Sequence, residues 1–147
     1  MELNTASAAV SFSQQLEDDS IKFYETAMQR YPEGNDILSS FISDNRKNKA
    51  LIHRSYYGVI SDALEGCFAF EDIDTDDFSI DTILADDVSF AEALNTAIAM
   101  EEKIMNYYSV AAEASRSLMA DVPRAFEKIA KKRHERIHTL RSLLARS

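Results

Sequence analysis

The sequence contains few residues that form tight turns or cross-links. Its 147 residues include 3 Gly, 2 Pro, 1 Cys and no Trp. Proteins made of β-strands need many turns, so the scarcity of Gly and Pro argues against an all-β fold. Because Cys67 has no second cysteine to pair with, we also exclude an internal disulfide and a CxxC zinc or redox motif.

Long hydrophobic runs and a targeting signal are absent too. No apolar stretch approaches the roughly 20 residues that a helix needs to cross a bilayer. The first ten residues, MELNTASAAV, lack the basic start and continuous apolar run of a secretory signal. We therefore expect a cytoplasmic protein with no membrane partner.

Hydrophobic residues nevertheless make up 46% of the chain, which is enough for a single domain, residues 1–147, with a buried core. Apolar residues recur at intervals of three and four in four segments, which predicts four amphipathic helices. These helices span about residues 5–31, 36–64, 89–118 and 121–144.

Local signals set the predicted helix boundaries. Pro32 and Gly34 end the first helix, because Pro lacks an N–H and Gly tolerates positive φ. Ser89 and Glu92 form a capping box at the start of the third helix, and Asp121 caps the fourth. Tight turns make sequential helices antiparallel neighbours, whereas more than twenty residues join the second helix to the third. We expect an all-α, antiparallel four-helix bundle with one long crossover between helices 2 and 3.

Charge is unevenly distributed along the chain, whose net charge is −9. The crossover, about residues 65–88, holds nine acids and no Lys or Arg, whereas residues 121–147 hold eight bases and three acids. Because the acidic crossover can neutralise the basic fourth helix, we expect no nucleic-acid partner. The two segments could also pair between chains. Phe12, Ile21 and Ile42 lie beside or off the inner helix faces, where we expect them to be exposed apolar groups. Together with the charged segments, they predict a homodimer.

A weak internal repeat links the two halves of the sequence. Glu17 is followed by Tyr24 and Glu101 by Tyr108, seven residues later in each case, which is two turns along one helix face. In each half a Phe lies in the first two turns of the following helix, at a similar distance in sequence from the Glu. These residues are Phe41, 24 positions after Glu17, and Phe126, 25 positions after Glu101.

This pattern resembles rubrerythrin and its relatives in the ferritin-like superfamily, over about residues 9–144. Phe41 with Asn45, and Phe126 with Ala130, lie where that family has its second- and fourth-helix motifs. The family binds two irons with one Glu from each of the first and third helices and a Glu-x-x-His pair from each of the other two. The resemblance implies that Glu17 occupies one of the single-Glu positions.

Glu101 then matches the other single-Glu position, but the remaining ligand positions hold other residues. They fall on Asn48, Leu51, Arg133 and Arg136. Asn is a weak metal ligand, Leu is none and Arg is a cation. Neither nearby His53 nor His134 has a Glu three residues before it. The resemblance thus implies a degenerate di-iron site in which Glu17 and Glu101 are vestigial metal ligands. It implies no catalytic residue and no cofactor. The alternative is that the site still binds iron.

The charges of the replaced residues suggest what now neutralises the two acids. Two carboxylates inside a helical bundle are costly unless they are neutralised. Arg133, with Arg136, can supply the positive charge that two metal ions would supply. We therefore expect Arg133 to lie between or beside Glu17 and Glu101 in the interior.

Three functional hypotheses remain at this point. The first is a non-catalytic structural or interaction module. The second is an oxidoreductase or iron-handling protein with an atypical metal site using Glu17 and Glu101. The third is a small-ligand binder that uses the acidic crossover.

Other candidate sites have simpler interpretations. His134 and His138 could ligate zinc or nickel, but no third ligand is evident and a surface pair is the better interpretation. Asp72, Asp74 and Asp76 resemble the start of an EF-hand loop, but Asp77 replaces the required Gly and Ile83 stands where the bidentate Glu belongs. The tyrosines are interpreted as packing residues rather than redox groups, and Cys67 as a packed thiol.

Overall fold

The computed structural model describes residues 3, 5–57, 73–116 and 121–147. Four long helices dominate this part of the chain, and they pack against one another. They are α1 (Ala6–Arg30), α2 (Asn35–Tyr57), α3 (Phe90–Ala114) and α4 (Asp121–Ala145). Two short 3₁₀ turns, Pro32–Gly34 and Thr75–Phe78, complete the regular structure, and these residues form no strand. The prediction of an all-α fold is confirmed, and none of the described helices is long and apolar enough to cross a membrane.

The helix boundaries agree with most of the local signals. Thr5 Oγ1 caps α1 by accepting from the Ala8 N–H at 3.1 Å, and Ser89 Oγ accepts from the Glu92 N–H at 3.2 Å, as the capping box predicts. Asp121 is itself the first residue of α4 rather than its cap. The predicted extensions of the second and third helices, 58–64 and 117–118, lie outside the described residues.

Each helix has two neighbours. α1 packs along α2 and α3 along α4, while α2 also contacts α4 and α1 contacts α3. Residues 73–88, which we call the acidic segment, lie against α3 and α1. Lys103 on α3 donates to the Ser79 carbonyl at 3.0 Å, and Arg30 on α1 donates to the carbonyls of Leu84 and Ala85 at 3.1 and 2.6 Å. The most extensive contacts join α1 to α2 and α3 to α4. One side of the protein is thus made by α1, α3 and the acidic segment and the other by α2 and α4, and we call these two sides layers.

Surface charge is segregated between these two layers. The acidic layer, made of α1, α3 and the acidic segment, exposes or half-buries twelve acids and three bases. The acids are Asp18, Asp19, Glu25, Asp74, Asp76, Asp77, Asp81, Asp86, Asp87, Glu92, Glu102 and Glu113, and the bases are Lys22, Arg30 and Lys103. The basic layer, made of α2 and α4, exposes or half-buries nine bases and five acids. The bases are Arg46, Lys47, Lys49, Arg54, Arg124, Lys128, Lys131, Lys132 and Arg141, and the acids are Asp36, Asp44, Asp121, Glu127 and Glu135.

Three apolar residues that were expected on the surface belong to the core instead. Ile42 is only 7% exposed. Phe12 and Ile21 are half-buried and pack against the core, with the Phe12 ring 4.9 Å from that of Tyr107. They lie at the edges of the inner helix faces, where neighbouring helices cover them. The expectation that these side chains offer a free apolar surface is therefore wrong.

Gly34 serves close packing rather than an unusual backbone conformation. It lies in the 3₁₀ turn between α1 and α2. Its φ is not positive, so the positive φ expected where the first helix ends is not present. A Cβ placed on Gly34 would lie 2.9 Å from Phe90 Cζ and 3.3 Å from Leu38 Cδ1. The absence of a side chain thus lets the start of α3 approach the turn.

We predict that Gly34→Ala destabilises the protein by about 1 kcal/mol. Overpacking costs roughly 1–3 kcal/mol, and the lower entropy of the unfolded alanine chain offsets about 0.4–1 kcal/mol. In a Phe90→Leu background, which removes Cζ, the same change should become stabilising. Urea melts of the four proteins in this double-mutant cycle measure both effects, and equal costs in the two backgrounds would contradict the proposed contact.

Candidate functional site

Four charged side chains form a cluster in the interior, where the four helices meet. Glu17 on α1, Glu101 on α3 and Arg133 on α4 are each 0% exposed, and Arg136, one turn further along α4, is 4% exposed. The first three lie on the inner faces that the helical periodicity predicts. The formal charges of the four groups cancel.

Arg133 bridges the two acids through its terminal nitrogens. Nη1 donates to both Glu101 carboxylate oxygens at 2.6 and 2.8 Å. Nη2 donates to Glu17 Oε2 at 2.6 Å and to Ser20 Oγ at 3.2 Å. The expectation that Arg133 lies between Glu17 and Glu101 is confirmed.

Arg136 supplies the second positive charge. Its Nη1 donates to Glu101 Oε1 at 3.1 Å and to Asn45 Oδ1 at 2.7 Å, and its Nη2 donates to the Phe41 carbonyl at 3.2 Å. The guanidinium carbon also lies 4.6 Å from the centre of the Phe41 ring, a cation–π contact. Helical periodicity did not place Arg136 on the inner face of α4. Its signals in the sequence were its match to a family ligand position and the need for a second cation to balance two acids.

Two tyrosines connect the halves of the internal repeat. Tyr24 on α1 donates to Glu101 Oε1 on α3 at 2.6 Å, and Tyr108 on α3 donates to Glu17 Oε2 on α1 at 2.8 Å. The Tyr of each half therefore serves the Glu of the other half. This exchange explains the repeated seven-residue spacing, and it shows that these tyrosines do more than fill the core.

The residue on α2 nearest to the acids is Asn48. Its Nδ2 donates to Glu17 Oε1 at 3.0 Å. Leu51, one turn later, is half-buried and packs against the core. Of the four positions that the resemblance assigned to metal ligands, Asn48, Arg133 and Arg136 thus contact the acids.

The neighbouring groups favour the ionised forms of Glu101 and Arg133. Burial alone would raise the pKa of Glu101, but the charges of Arg133 and Arg136 and the hydrogen bonds of the site outweigh burial and lower it. The pKa of Arg133 is raised despite burial, because both carboxylates stabilise its charge. Burial and the adjacent carboxylates raise the pKa values of Tyr24 and Tyr108, so both remain hydrogen-bond donors.

The arrangement does not fit a pair of iron ions. All four oxygens of Glu17 and Glu101 accept hydrogen bonds from the side chains around them. A guanidinium, which repels metal cations and offers no lone pair, lies between the carboxylates. Within the described ranges, no group of three or more His, Cys, Asp or Glu side chains is arranged to hold a metal ion.

The other sequence candidates do not join this cluster. His53, His134 and His138 are exposed. Asp74 accepts from the Asp76 N–H at 3.0 Å within the acidic segment. Asp72 and Cys67 lie outside the described residues.

No known protein family, curated protein or solved structure matches this chain. The interpretation of the site therefore depends on its residues and geometry.

We predict that Arg133→Ala destabilises the protein by about 3–5 kcal/mol, because it leaves two buried carboxylates with one remaining guanidinium. The matched control is Lys131→Ala, an exposed position two residues away on α4, which should change stability by less than about 0.5 kcal/mol. Urea denaturation followed by circular dichroism measures both. A loss below about 1 kcal/mol for Arg133→Ala would contradict a buried cluster that depends on this charge.

The lowered pKa of Glu101 predicts acid sensitivity. Since its pKa is lower in the folded state, Glu101 contributes stability above its ordinary value near 4.5, and this contribution is lost as the pH falls through the folded-state value. The double variant Glu101→Gln with Arg136→Met removes one negative and one positive charge. The carboxyl group that titrates is removed with them. Its free energy of unfolding should fall less steeply below pH 4.5 than that of the native protein.

The measurement is a series of urea melts between about pH 3 and pH 7, the range in which carboxylates titrate. Glu25→Gln, which removes an exposed carboxylate from α1, is the control. Parallel pH profiles for the native protein and the double variant would show that Glu101 does not carry this dependence.

Proposed function

We propose that this chain is a rubrerythrin-like member of the ferritin-like superfamily in which arginine has replaced the di-iron centre. In this proposal the four helices form an antiparallel bundle, with residues 65–88 as the crossover between α2 and α3. The protein is a non-catalytic structural or interaction module. The observation that carries the proposal is the contact of Arg133 with both Glu17 and Glu101 at 2.6–2.8 Å.

Two further observations support this proposal. First, three of the four family positions assigned from the sequence, Asn48, Arg133 and Arg136, contact the acids, which is unexpected for an accidental likeness. Second, the guanidiniums of Arg133 and Arg136 neutralise the buried acids as metal ions would. Because this cation is part of the chain, the fold does not depend on a supply of metal.

No observation favours the alternative of an oxidoreductase or iron-handling protein. Glu17 and Glu101 would have to exchange their present hydrogen bonds for metal bonds. Neither acid has any solvent exposure. The cavities described on the surface are lined by other residues.

As an interaction module, the protein fits a second copy of itself. In a two-fold dimer both copies use the same surface. An interface made only of the acidic layer, or only of the basic layer, would therefore place like charges together. A two-fold interface along a side where the acidic layer meets the basic layer would instead pair acids with bases in both directions. We therefore propose a homodimer held by charge complementarity between the two layers.

This dimer should depend on ionic strength. Light scattering should give a mass that rises toward that of a dimer with concentration at low salt, and a monomer mass at about 0.5 M salt, where exposed charges are screened. Lys128→Glu with Lys131→Glu should abolish association, whereas the control Lys22→Glu on the acidic layer should leave it intact. A monomer mass at every concentration and salt would reject the dimer.

The proposed origin of the site predicts that metal binding can be restored. The variant Asn48→Glu, Leu51→His, Arg133→Glu and Arg136→His rebuilds both Glu-x-x-His pairs. Without metal it should be poorly stable, because four carboxylates face one another. It should gain stability with Fe(II) or Mn(II), since a ligand that binds only the folded state stabilises it.

The experiment combines thermal unfolding with elemental analysis of the native protein and the variant. A control variant carries the amides Gln, Asn, Gln and Asn at the same four positions and should not respond to metal. Tight binding of two irons by the native protein would contradict the proposed replacement. A folded variant that binds none would contradict the assignment of these α2 and α4 positions.

A further inference from the structure

The acids of the cluster present a site that suits a planar cation. Four acceptor atoms meet the two terminal nitrogens of one guanidinium. They are both oxygens of Glu101, Oε2 of Glu17 and Oγ of Ser20. A guanidinium donates in a fixed fork that suits paired carboxylate oxygens, whereas an ammonium ion is a compact point charge.

Other residues hold the acids in place independently of Arg133. Tyr24 fixes Glu101 at 2.6 Å, and Tyr108 and Asn48 fix Glu17 at 2.8 and 3.0 Å. A site that is positioned by such supporting contacts keeps its shape when its ligand is removed. The acceptors should therefore remain oriented when the Arg133 side chain is shortened.

We propose that Glu17, Glu101 and Ser20 form a binding site for guanidinium-class cations, which Arg133 fills from within the chain and which a free alkylguanidinium fills when that side chain is removed. This inference rests on the proposed function, in which a guanidinium rather than a metal neutralises the acids. It adds the chemical class of ligand that the site selects.

The test uses the full chain with Arg133→Ala and methylguanidinium as the probe. This ion replaces the lost guanidinium and one carbon, and it leaves space for the alanine Cβ. The melting temperature should rise saturably, by about 3–6 °C at roughly ten times the dissociation constant. If the variant is unfolded without the probe, the helical circular dichroism signal should return when it is added.

Three comparisons define the specificity of this response. The native protein should show no rise, because Arg133 fills its site. Glu17→Gln combined with Arg133→Ala should lose most of the response, because one carboxylate of the site is gone. Methylammonium should act much more weakly than methylguanidinium, because it lacks the fork.

The inference is overturned if methylguanidinium neither raises the melting temperature nor restores helix in the Arg133→Ala variant. An equal or larger effect of methylammonium or Mn(II) also overturns it, because the site would then select charge rather than the planar fork. The native protein's metal content tests the proposed function separately, so the two ideas can fail independently.

Discussion

The contact of Arg133 with Glu17 and Glu101 is the constraint on which the interior depends. Two carboxylates without solvent are tolerated only when they are paired and hydrogen-bonded. The pairing requires α4 to place one guanidinium against both α1 and α3. The same contact therefore fixes the helix order and the register, since a shift of α4 by one residue would rotate the guanidinium away from the acids.

The charges of this buried cluster are divided between the two layers in the same way as the surface charges. The buried acids come from the acidic layer, and the buried guanidiniums come from the basic layer. Two surface pairs that join the layers in the described part of the chain follow the same direction, with Lys49 on α2 bound to Asp18 on α1 at 2.6 Å and Arg141 on α4 bound to Glu102 on α3 at 2.8 Å. Exposed pairs of this kind contribute at most about 1 kcal/mol each. The energetically important attraction between the layers therefore lies in the interior, and the surface charges reinforce the same arrangement.

Helical periodicity was sufficient to predict the burial of Glu17, Glu101 and Arg133, because each lies on a stripe that is otherwise apolar. Periodicity could not predict what depends on a neighbouring helix. Arg136 lies at the edge of its stripe, where a charged residue normally faces solvent, and only its match to a family ligand position and the charge balance of the interior indicated otherwise. Gly34 was misinterpreted for a similar reason, because its role is set by Phe90, which is distant in sequence.

The cluster carries energetic costs as well as attractions. Three buried polar atoms, Asn45 Nδ2, Asn48 Oδ1 and Arg133 Nε, have no hydrogen-bond partner among the described residues, and each such atom costs about 1–3 kcal/mol. Well-packed apolar residues can be more stable than a buried ion pair. An apolar core sets the helix register through side-chain shape, whereas these charges also penalise any register that leaves a carboxylate unpaired. The cluster therefore favours one arrangement of the four helices, whatever its net contribution to stability.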